Sequence, residues 1–436
     1  MKRIIFAGLV LILILVGCTA KIPETNPPIG EATCIDCQSK CPTADGNGCV
    51  NDKCVCYYEQ KDKENNKEEN DQLDFNKNPI NVEETLPSCG DRMDFLNVSP
   101  LEYNDFKTII PLGNIGGPYG HRFPTDHVYM MVKRAYENNR DIGTANVPLY
   151  MPGDARIIEI TASSHLSDNP PYKDYDIVFY SCNEVGFRLG HITSLSDELL
   201  VELNTNILCE DEYTAGNKIF KRCFAKKLNI EVNSGKEIGT AGGNIGQNAL
   251  DIWVMDFRAE ELKYANPDRL DSYVKHTACP LDYFIEKEKV KLYSLLGGFN
   301  NDKRTAEPLC GTIEQDIKGT AQGLWFLEGE EDTYPEELHL ALVLDNIDPR
   351  INVFSVGMSI PGMENNKYPF IPESKEDVNV AFSKVKLGTI YCYEQADWDF
   401  VIVLELLNET TLKIEKQTSS KCSKPFKFIS GVVFER

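Results

Sequence analysis

The chain has 436 residues, 15 cysteines and a formal net charge of −22. This length suggests two or three domains at roughly 100–200 residues each. The acidic balance excludes nucleic acid, and an anionic membrane surface, as charge-recognised partners. Cysteines spread over the whole chain place it in an oxidising compartment, where disulfides persist.

Met1, Lys2 and Arg3 give a positive start. Ile4 to Val16 is an apolar run without charge, and it closes on Leu15, Val16, Gly17 and Cys18. A charged start, a short apolar core and small residues at the exit form a secretory signal. The run is shorter than the ~20 residues that span a bilayer as a helix, and no other segment is long and apolar enough to do so. The exit sequence resembles the lipobox of prokaryotic lipoproteins, in which the cysteine becomes the lipidated first residue of the mature chain. That resemblance implies a signal peptide over 1–17, a lipid on Cys18, and an exported protein held through this lipid at the outer face of the cell membrane. A plain signal peptide cut elsewhere is the alternative. Without Cys18 the cysteines are even in number, as full pairing requires.

Residues 18–33 read as a tether, with Pro23, Pro27 and Pro28 in a segment of little apolar content. Residues 34–57 hold Cys34, Cys37, Cys41, Cys49, Cys54 and Cys56, and a segment this small has almost no core and needs staples. Cys-x3-Cys at Cys37 and Cys41, Gly48 before Cys49, and Cys-x-Cys at Cys54 and Cys56 resemble the cysteine-stabilised αβ scaffold of defensins and scorpion toxins. The resemblance implies Cys37 and Cys41 one turn apart on a helix, and Cys54 and Cys56 on one side of a strand. A zinc knot is the rival reading, since Cys-x2-Cys is a common ligand pair. The pairing among the six stays open. Residues 58–88 are rich in Lys, Glu, Asn and Asp and poor in large apolar side chains, the composition of a disordered linker.

Two β-rich regions follow, 89–260 and 270–436. Short β-branched or aromatic runs bounded by Gly, Pro, Asn and Asp predict strands. In the first region they lie at Ala155 to Ile160, Tyr175 to Tyr180 and Leu250 to Met255. In the second they lie at Leu338 to Leu344, Thr389 to Tyr393, Phe400 to Leu407 and Phe428 to Phe434. The helices expected are short: Asp126 to Glu137, Asn266 to His276 and Ser374 to Lys386.

Four segments of the first region stand in a fixed order. Gly120-His-Arg-Phe-Pro-Thr-Asp-His127 comes first, and Val147-Pro-Leu-Tyr-Met-Pro-Gly-Asp-Ala155 follows. Tyr175 to Tyr180 then leads to Gly186-Phe-Arg-Leu-Gly-His191, and Gly235 to Gly246 leads to Ala249 and Asp251. This order resembles the lysostaphin-type zinc metallopeptidase domain, whose members cut peptidoglycan cross-bridges. The resemblance implies a small barrel-sandwich of strands with metal ligands facing one groove. It places His127 and Asp251 at metal-ligand positions and His191 at a catalytic one. The departures stand beside the matches. Met131 occupies the place of the ligating Asp, Ala249 that of the assisting His, and Asp251 that of the last ligating His. A working site needs about three protein ligands and one open position, and a thioether is a poor zinc ligand. His121, Asp126 and His127 form either a different small site or, as preferred, the capped start of a short helix with Thr125 or Asp126 as N-cap. Gly235 and Gly239 read as bracketing a tight turn. Gly242 to Gly246 reads as a loop needing positive φ or close backbone approach.

In the second region Cys279 and Cys310, and Cys392 and Cys422, pair by proximity in sequence. Gly323 and Trp325 early and Arg436 late resemble the lipocalin-like barrels, where the Arg packs over the Trp; a generic β-sandwich or open barrel is the default. His339 reads as a satisfied histidine rather than a ligand, and Trp398 as packing. The expected protein is mainly β, with a lysostaphin-type barrel-sandwich domain, a second β-rich barrel or sandwich domain and a small disulfide-rich N-terminal module. The expected function is a non-catalytic binding or scaffold domain on an envelope lipoprotein. It would meet envelope glycan, peptide or protein, without a cofactor. The alternative is a zinc metalloendopeptidase of peptidoglycan or another envelope polymer, with zinc as its cofactor.

Overall fold

The computed structural model describes residues 46–50, 53–57 and 86–436, apart from 117–119, 138–139, 216–217, 244–247, 301 and 374–375. The chain divides into two units, Met1–Asp71 and Gln72–Arg436. In the first, strands β1 (Gly46–Val50) and β2 (Lys53–Tyr57) form an antiparallel hairpin whose register sets Cys49 opposite Cys54. The expectations for Cys18, Cys34, Cys37 and Cys41, the tether and the linker up to residue 85 lie outside the described residues, as does the pairing of the six cysteines.

The second unit is mainly β and antiparallel. Its first sheet draws on β3 (Phe106–Ile110), β4 (Val128–Val132), β7 (Val147–Tyr150), β8 (Ala155–His165), β9 (Tyr172–Cys182), β10 (Val185–Leu195), β11 (Leu208–Cys209), β12 (Tyr213–Ala215), β13 (Lys218–Val232), β14 (Glu237–Ala241) and β15 (Ala249–Asp256). The order is β11-β13-β8-β9-β10-β15-β4-β3, with β12 on β13 and β14 joining β10 to β7. Strands β5 (Arg134–Glu137) and β6 (Arg140–Thr144) make a separate hairpin. Of the two glycines expected to bracket a turn, Gly235 sits in it at φ +75°, whereas Gly239 lies inside β14, paired with Leu195 and Leu149, where a Cβ would collide with the Ser194 carbonyl.

The helix expected over Asp126 to Glu137 is absent, and with it the capping role of Thr125 or Asp126. Val128 to Val132 is an unbroken apolar run with valine at both ends, and it pairs on both edges, with β3 and β15. Such a doubly paired run reads as strand in spite of the turn signal before it. Asn266 to His276 is broken into a 3-10 turn at Pro267–Arg269 and a short helix at Ser272–Lys275. Over Ser374 to Lys386 the helical content among described residues is one 3-10 turn, Phe382–Lys384. Among the described residues two α-helices went unforeseen, Asp197–Thr205 and Glu286–Tyr293. The second lies in a segment whose Leu281, Tyr283, Phe284, Leu292 and Leu296 enter the core of the first sheet. Packing therefore assigns this stretch to the first sheet, although it follows residue 270.

The second sheet is a run of eight strands: β16 (Gly323–Leu327), β17 (Leu340–Leu344), β18 (Asn352–Val356), β19 (Asn366–Phe370), β20 (Ile390–Tyr393), β21 (Val401–Asn408), β22 (Thr411–Gln417) and β23 (Val432–Glu435). Two four-strand meanders join where β23 pairs with β16, leaving β19 and β20 as the ends of the ladder. The sheet curls until its ends meet through side chains, with Phe354 and Phe370 placed 4.9 and 5.1 Å from Tyr393. Trp325 is fully buried in this core, and the Arg436 guanidinium lies over it at 4.3 Å, the packing that the Gly-x-Trp and late Arg suggested. His339 is buried, accepts from the Leu327 N–H at 3.1 Å and lies 3.0 Å from the Asp332 carbonyl. Trp398 stacks on Phe400 at 5.2 Å. Both are packing residues, as read.

The outer face of β16 to β18 packs on the first sheet's connections. Leu324, Phe326, Ala341, Val343 and Val353 form one apolar cluster with Ile115, Phe123 and Leu270. Disulfides Cys279–Cys310 and Cys392–Cys422 are present as expected, and Cys89–Cys182 and Cys209–Cys223 join them.

Candidate functional site

Side chains alternate across a strand, so cross-strand partners share a face. Val128, Met130, Leu189, Leu250, Ile252 and Val254 all point into the main core. The opposite face of the same strands is polar. Register places Tyr129 beside Asp251 and Met131 beside Ala249. It sets Gly190 beside Asp251 and Arg188 beside Trp253, and brings Thr161 and Ser163 next to Asp176 and Asp174. His127, two positions before Tyr129, joins this face.

On it, carboxylates and imidazoles alternate. His127 Nδ1 lies 2.9 Å from Asp126 Oδ1, and its Nε2 lies 3.3 Å from Asp251 Oδ2. His191 Nε2 reaches the same Asp251 oxygen at 3.4 Å, while its Nδ1 lies 2.9 Å from Asp174 Oδ2. His165 continues the row, 3.3 Å from Asp174 and 3.5 Å from Asp168, whose other oxygen pairs with Lys218 at 2.9 Å. The Trp253 indole N–H donates to Asp126 at 2.8 Å. The Arg188 guanidinium lies over the Trp253 ring at 4.6 Å and pairs with Asp176 at 3.0 Å. His127, His191 and Asp251, the residues named from the sequence, lie together on this face. The sequence reading had no role for Asp174, Asp168, His165, Arg188 or Trp253, which no motif marks.

His191 sits where β10 exchanges β15 for β14 as neighbour, beside a register shift. It has φ +58°, a conformation that costs a non-glycine residue on the order of 1–2 kcal/mol. The His191 side chain is 46% exposed; partial desolvation acts to lower its pKa, but the Asp251 and Asp174 carboxylates override this and push it up to about 9. Both ring nitrogens face carboxylates, and only the doubly protonated ring donates to both. Its ion-pairing stability is thus fully present below about 6.5, the ordinary histidine value, and fades as pH rises through about 9. Burial acts to raise Asp251, but His191 and His127 hold it below the usual carboxylate range. Burial likewise opposes the lowering of Asp174 by His165 and His191.

One feature fits a metal. Each of His127 and His191 turns Nδ1 to a carboxylate and Nε2 to Asp251, as ligating histidines turn theirs to a metal, and Asp251 Oδ1 is buried without a hydrogen-bond partner. The rest does not fit. Ligands on one zinc at about 2.0–2.2 Å lie within about 4.4 Å of one another. Among the described residues the one group of three ligand atoms within 4.8 Å of one another is on Cys89, Cys182 and Glu184, and its cysteines are disulfide-bonded. His127 Nε2 and His191 Nε2 both approach Asp251 Oδ2, at 3.3 and 3.4 Å, but the three do not form such a group. Met131 and Ala249, which stand where the resemblance calls for Asp and His, are 8% and 6% exposed and pack against each other, Ile110 and Tyr129. They contribute a thioether and a methyl group to the polar face, neither an acid nor a base.

A turn before β17 reaches one end of this face through Glu336. Glu336 accepts from the backbone N–H of Arg122 at 2.8 Å and of Phe123 at 3.1 Å, and its other oxygen lies 3.1 Å from His121 Nδ1. The His121 ring stands 5.6 Å from His127. Arg122, fully buried, donates to the Val356 carbonyl at 3.2 Å. His121 and Asp126 thus flank His127 in one cluster, where the sequence reading preferred a helix start. A scan against protein-family models and searches of curated proteins and solved structures return no match for the chain.

Proposed function

We propose that this is an exported envelope lipoprotein, anchored through Cys18, whose degenerate lysostaphin-type domain binds or scaffolds an envelope glycan, peptide or protein without cutting it. The observation that carries this reading is the pairing of Met131 with Ala249 in apolar contact. A zinc-activated water needs a third ligand and a neighbouring acid or base, and these positions supply neither. The Asp251 carboxylate sits between two imidazoles, which compensates its buried charge without an ion. The six-cysteine module, the tether and the acidic linker fit a spacer that sets the β-rich unit off from the bilayer.

The zinc metallopeptidase remains the second reading, favoured by the turn of His127 and His191 Nε2 to Asp251 and the partnerless Oδ1 of Asp251. The test is incubation of the full chain, with added zinc, on isolated peptidoglycan sacculi, followed by chromatography of soluble products and a co-sedimentation assay. Sedimentation with sacculi and no released product support the binding reading. Product release that His127→Ala abolishes would overturn it.

A further inference from the structure

Four disulfides hold the eight cysteines of the second unit, and one of them differs in its surroundings. Cys89 and Cys182 are both buried, and Cys310 and Cys392 bury one sulfur of their bridges. Cys209 is exposed and Cys223 is half-buried. The two stand directly opposite each other across the β11–β13 ladder. Strand β11 is two residues long, ends the sheet and, among the described residues, pairs only with β13. An edge of this kind opens at low free energy.

The charges around the bridge are split. Glu210, Asp211 and Glu212 follow Cys209 and are exposed, while Lys221 and Arg222 precede Cys223, with Lys226 and Lys227 shortly after it. Exchange is fastest at the accessible sulfur and when the leaving thiolate is stabilised, and neighbouring cations stabilise a thiolate. Exposure therefore selects Cys209 as the sulfur attacked, and charge selects Cys223 as the one that leaves.

We propose that Cys209–Cys223 is a thiol-exchange site, reduced by a dithiol partner through a mixed disulfide on Cys209. The partner's thiolate forms an S–S bond to Cys209 Sγ. The Cys209–Cys223 bond breaks, and its electron pair leaves on Cys223, which takes up a proton. The partner's second thiol then displaces Cys209. One dithiol is oxidised to a disulfide, and Cys209 and Cys223 become two thiols. Reduction unfastens β11 from β13 and frees a segment bearing Ile207 and Leu208, which are 39% and 50% exposed. This site is independent of the polar face and of the reading given to it.

The test treats the native full chain with graded dithiothreitol, quenches with iodoacetamide at timed intervals and maps alkylation by peptide mass spectrometry. Among the eight cysteines of the second unit, Cys209 and Cys223 are expected to label together, about tenfold or more ahead of the other six, at a rate proportional to thiol concentration. Earlier labelling of another described pair would overturn the proposal. So would labelling of all eight at one rate that is independent of thiol, since that is global opening. With 2-mercaptoethanol as a monothiol trap, the adduct is expected on Cys209, and an adduct on Cys223 instead would refute the direction of attack.

Discussion

Replacing Met131 by Asp tests the polar face most sharply, because it restores the side chain the resemblance asks for at a place the fold has made apolar. Met131 is 8% exposed and packs with Ile110 and Ala249. Removing a buried methionine side chain loses about 1.5–3 kcal/mol of transfer free energy. The carboxylate that replaces it is largely cut off from water, next to a strand carrying Asp251, which adds several kcal/mol. The expected loss is at least ~4 kcal/mol, a large part of the ~5–15 kcal/mol by which a domain is stable. Met131→Leu keeps volume and polarity and should lose less than ~1.5 kcal/mol. Urea denaturation followed by tryptophan fluorescence measures both. Zinc adds a second arm. If Asp at 131 completes a ligand set with His127 and Asp251, zinc at about a thousand times its Kd returns ~4 kcal/mol to the variant and nothing to the wild type. A Met131→Asp variant within ~1 kcal/mol of wild type, in the absence of metal, would refute the apolar packing of this position.

Arg436→Ala removes a guanidinium that covers Trp325 and donates to the carbonyls of Thr320 at 2.9 Å and Gln322 at 3.1 Å. The expected destabilisation is about 3 kcal/mol by guanidinium denaturation, and a loss below ~1 kcal/mol would contradict the packing. Burial acts to raise the Asp256 carboxyl, but hydrogen bonds from Arg258 and Tyr283 hold it below its ordinary value. Its contribution is therefore present above about pH 4 and lost as pH falls through the lowered folded value. Asp256→Asn should flatten that acid limb of the stability curve, and an unchanged limb would count against it. Partial desolvation of the half-exposed His121 opposes its raised pKa, which Glu336 sustains. In Glu336→Gln the His121 ring should titrate lower by NMR than in the wild type, and an unmoved titration would mean that the loop does not hold it.

The strands were legible wherever β-branched or aromatic residues ran between turn formers, as at Ala155, Tyr175, Leu250 and Phe400. Val128 to Val132 was misread because Pro124, Thr125 and Asp126 carry a helix-start signal, and only the pairing of both strand edges overrules it. Phe428 to Phe434 shortened to Val432–Glu435, with Gly431 at φ +103° marking where the strand begins. In the candidate site, His127, His191 and Asp251 could be named from motif spacing, whereas Asp174 and His165 could not. Those two reach the site through sheet register alone, β9 lying between β8 and β10, and register is a long-range property that no local pattern encodes. The Cys279–Cys310 and Cys392–Cys422 bridges join positions near in sequence. Cys89–Cys182 spans 93 residues and needed the fold to be seen.

The most direct measurement is elemental analysis of the purified full chain after expression with supplied zinc. The expected result is no stoichiometric zinc, with no difference between the wild type and His127→Ala or Asp251→Ala. One zinc per chain, lost in those variants, would contradict the non-catalytic reading and restore the metallopeptidase.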